Sequence, residues 1–235
     1  MKTTMALKPL AFALAALMAV AAQANGYNPP KPQPEPTSST ATVNDGQSNH
    51  GNAVINDKTE NNASVNQSFK NYSGVAGSNT AAGDNNQGKN DVAITAGDAD
   101  FVFATVNSGQ DNRGNFVLNS ATENNGSVNN SFNNGSGIGQ SNVAAGTSNQ
   151  GSNSVAINSG DDGKGGAATI NAKQEVTGNL TLNLSATTGH GWKTTPVTNN
   201  ASVNSSFNNA TGIVGSNVAA GSGNQGQNNV AITRF

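Results

Sequence analysis

The chain has 235 residues, a formal net charge of −2 and only 10% charged residues. Its 40 Asn, 11 Gln and 28 Gly crowd out the large apolar side chains that a conventional oily core needs, and its low charge separates it from self-repelling disordered tails. With no cysteine it can build neither disulfides nor thiolate metal sites, and eleven Lys and Arg scattered singly among thirteen acids give no footprint for nucleic acid.

Residues 1–24 read as a signal peptide. Lys2 and Lys8 supply a positive n-region, and Leu10 to Ala22 is an unbroken apolar run of 13 residues. Ala22-Gln23-Ala24 is the small-x-small pattern that places cleavage between Ala24 and Asn25. A membrane helix needs about 20 apolar residues, so the run is an export address rather than an anchor. No later stretch is apolar enough to span a bilayer, and the mature form is expected to have no membrane span. Residues 25–60 follow as a leader in which Pro29, Pro30, Pro32, Pro34 and Pro36 cluster, expected to be extended and disordered.

An internal repeat dominates the rest. Residues 61–94 read NNASVNQSFKNYSGVAGSNTAAGDNNQGKNDVAI. Residues 124–157 read NNGSVNNSFNNGSGIGQSNVAAGTSNQGSNSVAI, and residues 199–232 read NNASVNSSFNNATGIVGSNVAAGSGNQGQNNVAI. These are three copies of 34 residues, aligned without a gap, whereas a flexible spacer would tolerate insertions. Ala63, Val65, Gln67 and Phe69 are expected on one side of a strand, with Ser64, Asn66 and Ser68 on the other. The Asn, Gln and Ser between them, and the glycines that follow, disfavour a helix. A second strand is expected from Val75 to Ala82 and a third from about Asn86 to Ile94, with Asn90, Val92 and Ile94 on one face. Gly74, Gly83 and Gly88, with Gly137, Gly146, Gly151, Gly212, Gly221 and Gly226 in the later copies, are read as positive-φ corners.

One such unit buries too little to stand alone and leaves unpaired N–H and C=O groups above and below. Stacking identical units removes both problems. Backbones pair at the ~4.8 Å strand spacing, and each amide side chain bonds to its copy one layer away. An amide carries both donors and an acceptor, so it satisfies itself in a stack, whereas a stacked Lys or Asp repels its copy. The columns expected to carry stacking are Val65/Val128/Val203, Phe69/Phe132/Phe207, Val75/Ile138/Ile213, Asn79/Asn142/Asn217, Gln87/Gln150/Gln225, Val92/Val155/Val230 and Ile94/Ile157/Ile232. Charges inside the repeats are confined to the first copy, at Lys70, Asp84, Lys89 and Asp91. The expected fold is all-β: a cross-β or β-solenoid stack of three 34-residue repeats in Greek-key-like rungs, with a disordered N-terminal leader and flexible linkers.

The linkers span 95–123 and 158–198, and a tail covers 233–235. They differ in length and are read as sharing no sequence, which suits segments that need only reach. Strands are nevertheless expected at Phe101–Val106, Asn115–Asn119 and Val176–Leu184, where Leu180, Leu182 and Leu184 alternate. Phe101-Val102-Phe103 either pairs against the stack or stays an exposed apolar loop.

Nothing in the sequence announces catalysis or a cofactor. His50 and His190 sit in Gly/Asn/Ser/Thr-rich surroundings without metal-ligand spacing and read as exposed loop residues. Asp161-Asp162-Gly163 lacks the later oxygens of a calcium loop, and Gly163-Lys164 lacks the rest of a P-loop. Terminal Phe235 is shared with outer-membrane barrels, whose ~10-residue alternating strands are not repeated along this chain.

The repeats carry N-N-A/G-S-V-N-x-S-F, G-S-N-x-A-A-G and N-Q-G, with unequal linkers behind a signal peptide. In this the chain resembles the Fap functional amyloids of pseudomonads over nearly its whole length, the major fibril subunit more than the minor one. The resemblance implies a non-enzymatic structural protein whose main partner is itself, with the minor subunit as nucleator and an outer-membrane pore for secretion. It implies extracellular fibrils at the cell surface that strengthen biofilm matrix and cell aggregation. A Cys-x-x-Cys near the C-terminus, frequent in that family, is absent here, so no redox or cross-linking role carries over. The rival readings are a secreted monomeric β-solenoid adhesin, which would need capped ends, and a flexible surface spacer.

Overall fold

The first described strand starts two residues after Pro36. A computed structural model describes residues 35–160, 164–188 and 193–234. The signal-peptide cleavage site at Ala24 and Asn25, the prolines up to Pro34, Asp161-Asp162-Gly163, His190 and Phe235 lie outside these residues.

Among the described residues the regular elements are all strands, and they fall into three successive rungs. The first rung comprises β1 (Ser38–His50), β2 (Ala53–Asp57), β3 (Glu60–Asn66), β4 (Ser73–Ala82) and β5 (Gln87–Gly97). The second comprises β6 (Phe101–Arg113), β7 (Phe116–Ser120), β8 (Glu123–Asn129), β9 (Ser136–Thr147) and β10 (Gln150–Gly160). The third comprises β11 (Gly165–Thr177), β12 (Leu180–Leu184), a hairpin of β13 (Ala186–Thr188) and β14 (Lys193–Thr195), then β15 (Thr198–Asn204), β16 (Thr211–Ser222) and β17 (Gln225–Arg234).

Corresponding strands pair in parallel, giving five three-stranded sheets with the second rung always in the middle: β1-β6-β11, β2-β7-β12, β3-β8-β15, β4-β9-β16 and β5-β10-β17. Sheet β3-β8-β15 packs on β4-β9-β16 through Ala63, Val65, Ala76, Val128, Phe132, Val143 and Ala145. The other face of β4-β9-β16 meets β5-β10-β17 through asparagines. Sheet β5-β10-β17 in turn packs on β1-β6-β11 through Ala93, Ala156, Ala104 and Val106. Each rung thus starts on one outer layer, crosses by the short β2-type strand to the opposite layer, and folds back inward, which is a Greek-key path.

The register corrects the expected boundaries. Ser38–Asp57 belongs to the segment read as leader, and β6, β7, β11 and β12 to those read as linkers, yet all are rung strands in register with one another. The true repeat is wider than 34 residues: partners in the first two rungs stand 63 apart throughout. Ala41-Thr42-Val43-Asn44 lies on Ala104-Thr105-Val106-Asn107, and Gly46-Gln47 on Gly109-Gln110. From the second rung to the third the spacing is 64 up to β12 and 75 after it. The difference is the antiparallel β13–β14 hairpin segment, which pairs with no rung. Of the two fates open to Phe101-Val102-Phe103, the structure takes pairing: with Ser38-Ser39-Thr40 on one side and Gly165-Gly166-Ala167 on the other.

A second correction concerns Phe69, Phe132 and Phe207. Strand geometry is expected there, but β3 ends at Asn66 and the phenylalanines sit in an arch of alternating left-handed residues. In the first rung these are Gln67 (φ +50°), Phe69 (+53°) and Asn71 (+56°), and the second and third rungs repeat the pattern at Phe132 (+56°) and Phe207 (+61°). Asn tolerates this conformation, whereas Phe loses roughly 1–2 kcal/mol to it. Burying a phenyl ring returns about 1.5–3 kcal/mol, enough to hold the arch once the ring is inside. Gly88, Gly151 and Gly226 are the third correction. They lie within β5, β10 and β17 rather than at corners, and a Cβ there would press on Asn79, Asn142 and Asn217 of the facing strands. The other glycines expected at corners, Gly74, Gly137 and Gly212 in one column and Gly83, Gly146 and Gly221 in the other, do have positive φ.

Candidate functional site

The feature that repeats through every layer is a set of side-chain ladders running perpendicular to the strands. Asn217 Nδ2 donates to Asn142 Oδ1 at 2.9 Å, and Asn142 Nδ2 to Asn79 Oδ1 at 2.9 Å. A second column, Asn90, Asn153 and Asn228, runs beside it with steps of 3.0 and 2.8 Å. The two columns are cross-linked, since Asn90, Asn153 and Asn228 also donate to Asn79, Asn142 and Asn217 at 3.0, 3.0 and 3.1 Å. The interface between the β4-type and β5-type sheets is therefore a closed amide lattice, in which buried polar groups answer one another.

Glutamines do the same between the β5-type and β1-type sheets. Gln225 donates to Gln150 at 3.0 Å and Gln150 to Gln87 at 2.8 Å. Facing them, Gln174 donates to Gln110 at 2.7 Å and Gln110 to Gln47 at 2.9 Å. Each of the facing glutamines also reaches across: Gln47, Gln110 and Gln174 donate to the carbonyls of Gly88, Gly151 and Gly226 at 3.1, 3.2 and 3.1 Å. Further ladders run at Asn44/Asn107/Asn171, Asn56/Asn119/Asn183 and Asn61/Asn124/Asn199, with exposed ones at Asn62/Asn125/Asn200 and Asn66/Asn129/Asn204. Those at 44, 47 and 56 were missed in the sequence because they fall outside the 34-residue repeat.

The aromatic column stacks as rings. Phe69 and Phe132 lie 4.7 Å apart at 19°, and Phe132 and Phe207 5.1 Å apart at 14°. Tyr72 meets Phe132 edge-on at 6.1 Å. The aliphatic columns are expected to be core throughout, but within one molecule burial falls off toward the open faces. Val65 and Val128 are buried at 5% and 0% exposure, against 49% for Val203. In the next column Ile138 is 5% exposed and Val75 57%, and Ile213, in register with Ile138 on β16, is only half-buried. Ile213 departs from the core position expected of it because it lies on the third-rung face, where no further layer covers it. Val155 is buried, with Val92 and Val230 half-buried on either side, and Ile157 is half-buried between the exposed Ile94 and Ile232.

Charge is handled column by column. Lys89 is 1% exposed, with Nζ 3.4 Å from Asp45 Oδ2, and Asp91 is buried nearby. Burial pushes the Asp91 carboxyl above its usual range, opposed by a hydrogen bond from Ser108 and the Lys89 charge. In the rungs above, the Lys89 column holds Ser152 and Gln227 and the Asp91 column Ser154 and Asn229, so each buried charge is alone in its column. Like charges face one another at two register positions among the described residues: Glu60 on Glu123, and Asp111 on Glu175, where Arg113 bonds both at 2.6 and 3.1 Å. His50 stands at the same edge, its Nε2 3.6 Å from Asp111 Oδ2. Among the described residues there is no group of three His, Cys, Asp or Glu placed to hold a metal ion, and no helix is long and apolar enough to cross a membrane.

Every strand of the first and third rungs that belongs to a three-stranded sheet pairs on one side only. Two faces of the stack therefore present rows of unpaired backbone groups together with the ends of the same ladders. Such edges template another strand.

The model of the functional amyloid protein FapB/FapC family matches residues 40–234. The functional amyloid subunit FapC of Pseudomonas aeruginosa is 35% identical over an alignment of 328 positions, gaps included, covering 99% of this chain and 95% of that protein. No solved structure matches.

Proposed function

Because the chain belongs to the FapB/FapC family of functional amyloid proteins, we propose that it is exported and polymerises outside the cell into fibrils that strengthen the biofilm matrix. The observation that carries the assembly mechanism is the pair of open rungs. The third rung presents the same columns as the first, so the third rung of one molecule accepts the first rung of the next in the register used inside each molecule. Such a contact is heterologous and does not close, so it generates a filament rather than a ring. The three rungs of a chain are held at high effective concentration by their connections, which favours nucleation.

Ladder direction supports head-to-tail growth. Asn217 donates inward and keeps its Oδ1 toward the third-rung face, while Asn79 accepts from within and keeps Nδ2 for the first-rung face. In the Asn61/Asn124/Asn199 column the sense is reversed, and the ends are again complementary. The stacking columns named from the sequence would form the fibril core, with half-buried Ile213 of one copy covered by exposed Val75 of the next. Export follows from the signal peptide, with cleavage between Ala24 and Asn25. Passage through an outer-membrane pore, nucleation by a related minor subunit, and a role as the major subunit rest on family likeness.

Fibre diffraction of purified residues 25–235 after quiescent incubation tests the proposal. A meridional reflection at about 4.7–4.8 Å is expected. Persistently monomeric protein whose strands are protected from hydrogen exchange would favour the adhesin instead.

A further inference from the structure

Two glycines of the second rung have no backbone reason to be glycine. Gly135 and Gly139 are absent from the positive-φ positions, unlike Gly137 between them. Their register partners are Tyr72 and Ala76 below and Ala210 and Val214 above. What demands glycine is Tyr72. Its ring leans out of the first rung across the second, edge-on to Phe132, so a methyl group at Gly135 would overlap the ring and one at Gly139 the hydroxyl. The hydroxyl is buried without a hydrogen-bond partner, so shape rather than polarity seats it. The third rung has no such recess, since Ala210 and Val214 occupy its two positions.

We propose that Tyr72 and the Gly135/Gly139 recess form a knob and hole that specify rung order, allowing the inner face of the first rung to stack on the second rung and on no other. This inference rests on the stacking mechanism above. The columns of Asn, Gln, Val and Phe are nearly the same in all three rungs, so they cannot distinguish one rung from another. Without a distinguishing contact, the first rung could slip onto the third by pairing the same ladders. Tyr72 forbids that slip because its ring would collide with Ala210 and Val214. The device resembles register control in other repetitive assemblies, where one non-repeating contact removes degeneracy among repeating ones.

A coupling experiment tests it. Wild type, Gly135→Ala, Tyr72→Ala and the double variant, each as residues 25–235, are assembled to equilibrium and the residual soluble protein is measured. Gly135→Ala is expected to raise residual monomer at least tenfold, or to prevent assembly. In the Tyr72→Ala background the same change is expected to cost less than threefold, because the ring it strikes is gone. An equal penalty in both backgrounds, or no recovery of assembly in the double variant, overturns the inference. Wild type in the same series gives the control: absence of its cross-β reflection would overturn the stacking mechanism itself, whereas normal wild-type fibrils without coupling overturn only the knob and hole.

Discussion

The phenylalanine column separates a stacking protein from a free-standing solenoid. In a single molecule only Phe132 has a ring on both sides, at 4.7 and 5.1 Å, and is fully buried; Phe69 is 37% exposed at one end of the column. In a filament the distinction disappears, because Phe207 of one copy covers Phe69 of the next. Truncating a buried Phe to Ala costs about 3–5 kcal/mol, and each 1.4 kcal/mol is tenfold in an equilibrium constant. Phe69→Ala, Phe132→Ala and Phe207→Ala should therefore each raise the critical concentration roughly 10²- to 10³-fold. The assay is the protein left in the supernatant after assembly reaches a plateau and fibrils are sedimented. A large effect for Phe132→Ala with less than a tenfold effect for the other two would mean that the end rings are never covered, and head-to-tail stacking would then be wrong.

Asn142→Asp removes the amide that donates to Asn79 and Asn90 at 2.9 Å and sets a carboxylate against two carbonyl oxygens. An uncompensated buried charge costs about 3–5 kcal/mol, so sedimentation should show loss of assembly at concentrations a hundredfold above the wild-type threshold. Asp91 binds its proton more tightly in the stack than when unfolded, because burial raises its pKa. Its contribution is thus fully present below the ordinary carboxylate range and lost as pH rises through the folded value. Asp100 and Glu175, held low by Lys164 and Lys173, contribute in the opposite sense and weaken the stack on acidification. Asp91→Asn, the residue found at position 229, should lower the critical concentration at pH 7 and remove the part of its pH dependence that favours acid. Shortening the third copy by the eleven residues that separate its 75 spacing from 64, within the unstacked β13–β14 segment, should change the critical concentration less than about threefold, because the ladders are untouched.

Much of this architecture was legible because stacking constrains composition. Asn79, Gln87 and Phe69 recur at fixed spacing in three copies, and amides are the side chains that bond to their own image. The first half of each rung was harder to see. Ala41–Asn44 matches Ala104–Asn107, but the proline cluster just ahead biased the segment toward disorder. The third copy blurs the match with Lys173 opposite Gly109 and Val176 opposite Asn112. The arch at Phe69 was invisible to propensity, which never favours a left-handed phenylalanine; only the tertiary burial of the ring holds it there. How deeply each member of a column is buried was equally unreadable. Ile138 and Ile213 are the same residue at the same repeat position, and only the presence of a layer on both sides of Ile138 separates them. Inward Asn79 and outward Asn66 are likewise the same residue in similar surroundings. Tyr72 stands where the other copies have Gly135 and Ala210, and no pattern in the sequence marks its ring as packing over Gly135.

Above all, one chain contributes three layers to the stack. Mass per length of unstained filaments, with protofilaments counted in the same images, checks this number without perturbing the sequence. Three layers at ~4.8 Å predict one chain per ~14 Å of each protofilament. One chain per ~4.8 Å would mean that each molecule supplies a single layer, and would contradict the three-rung stack.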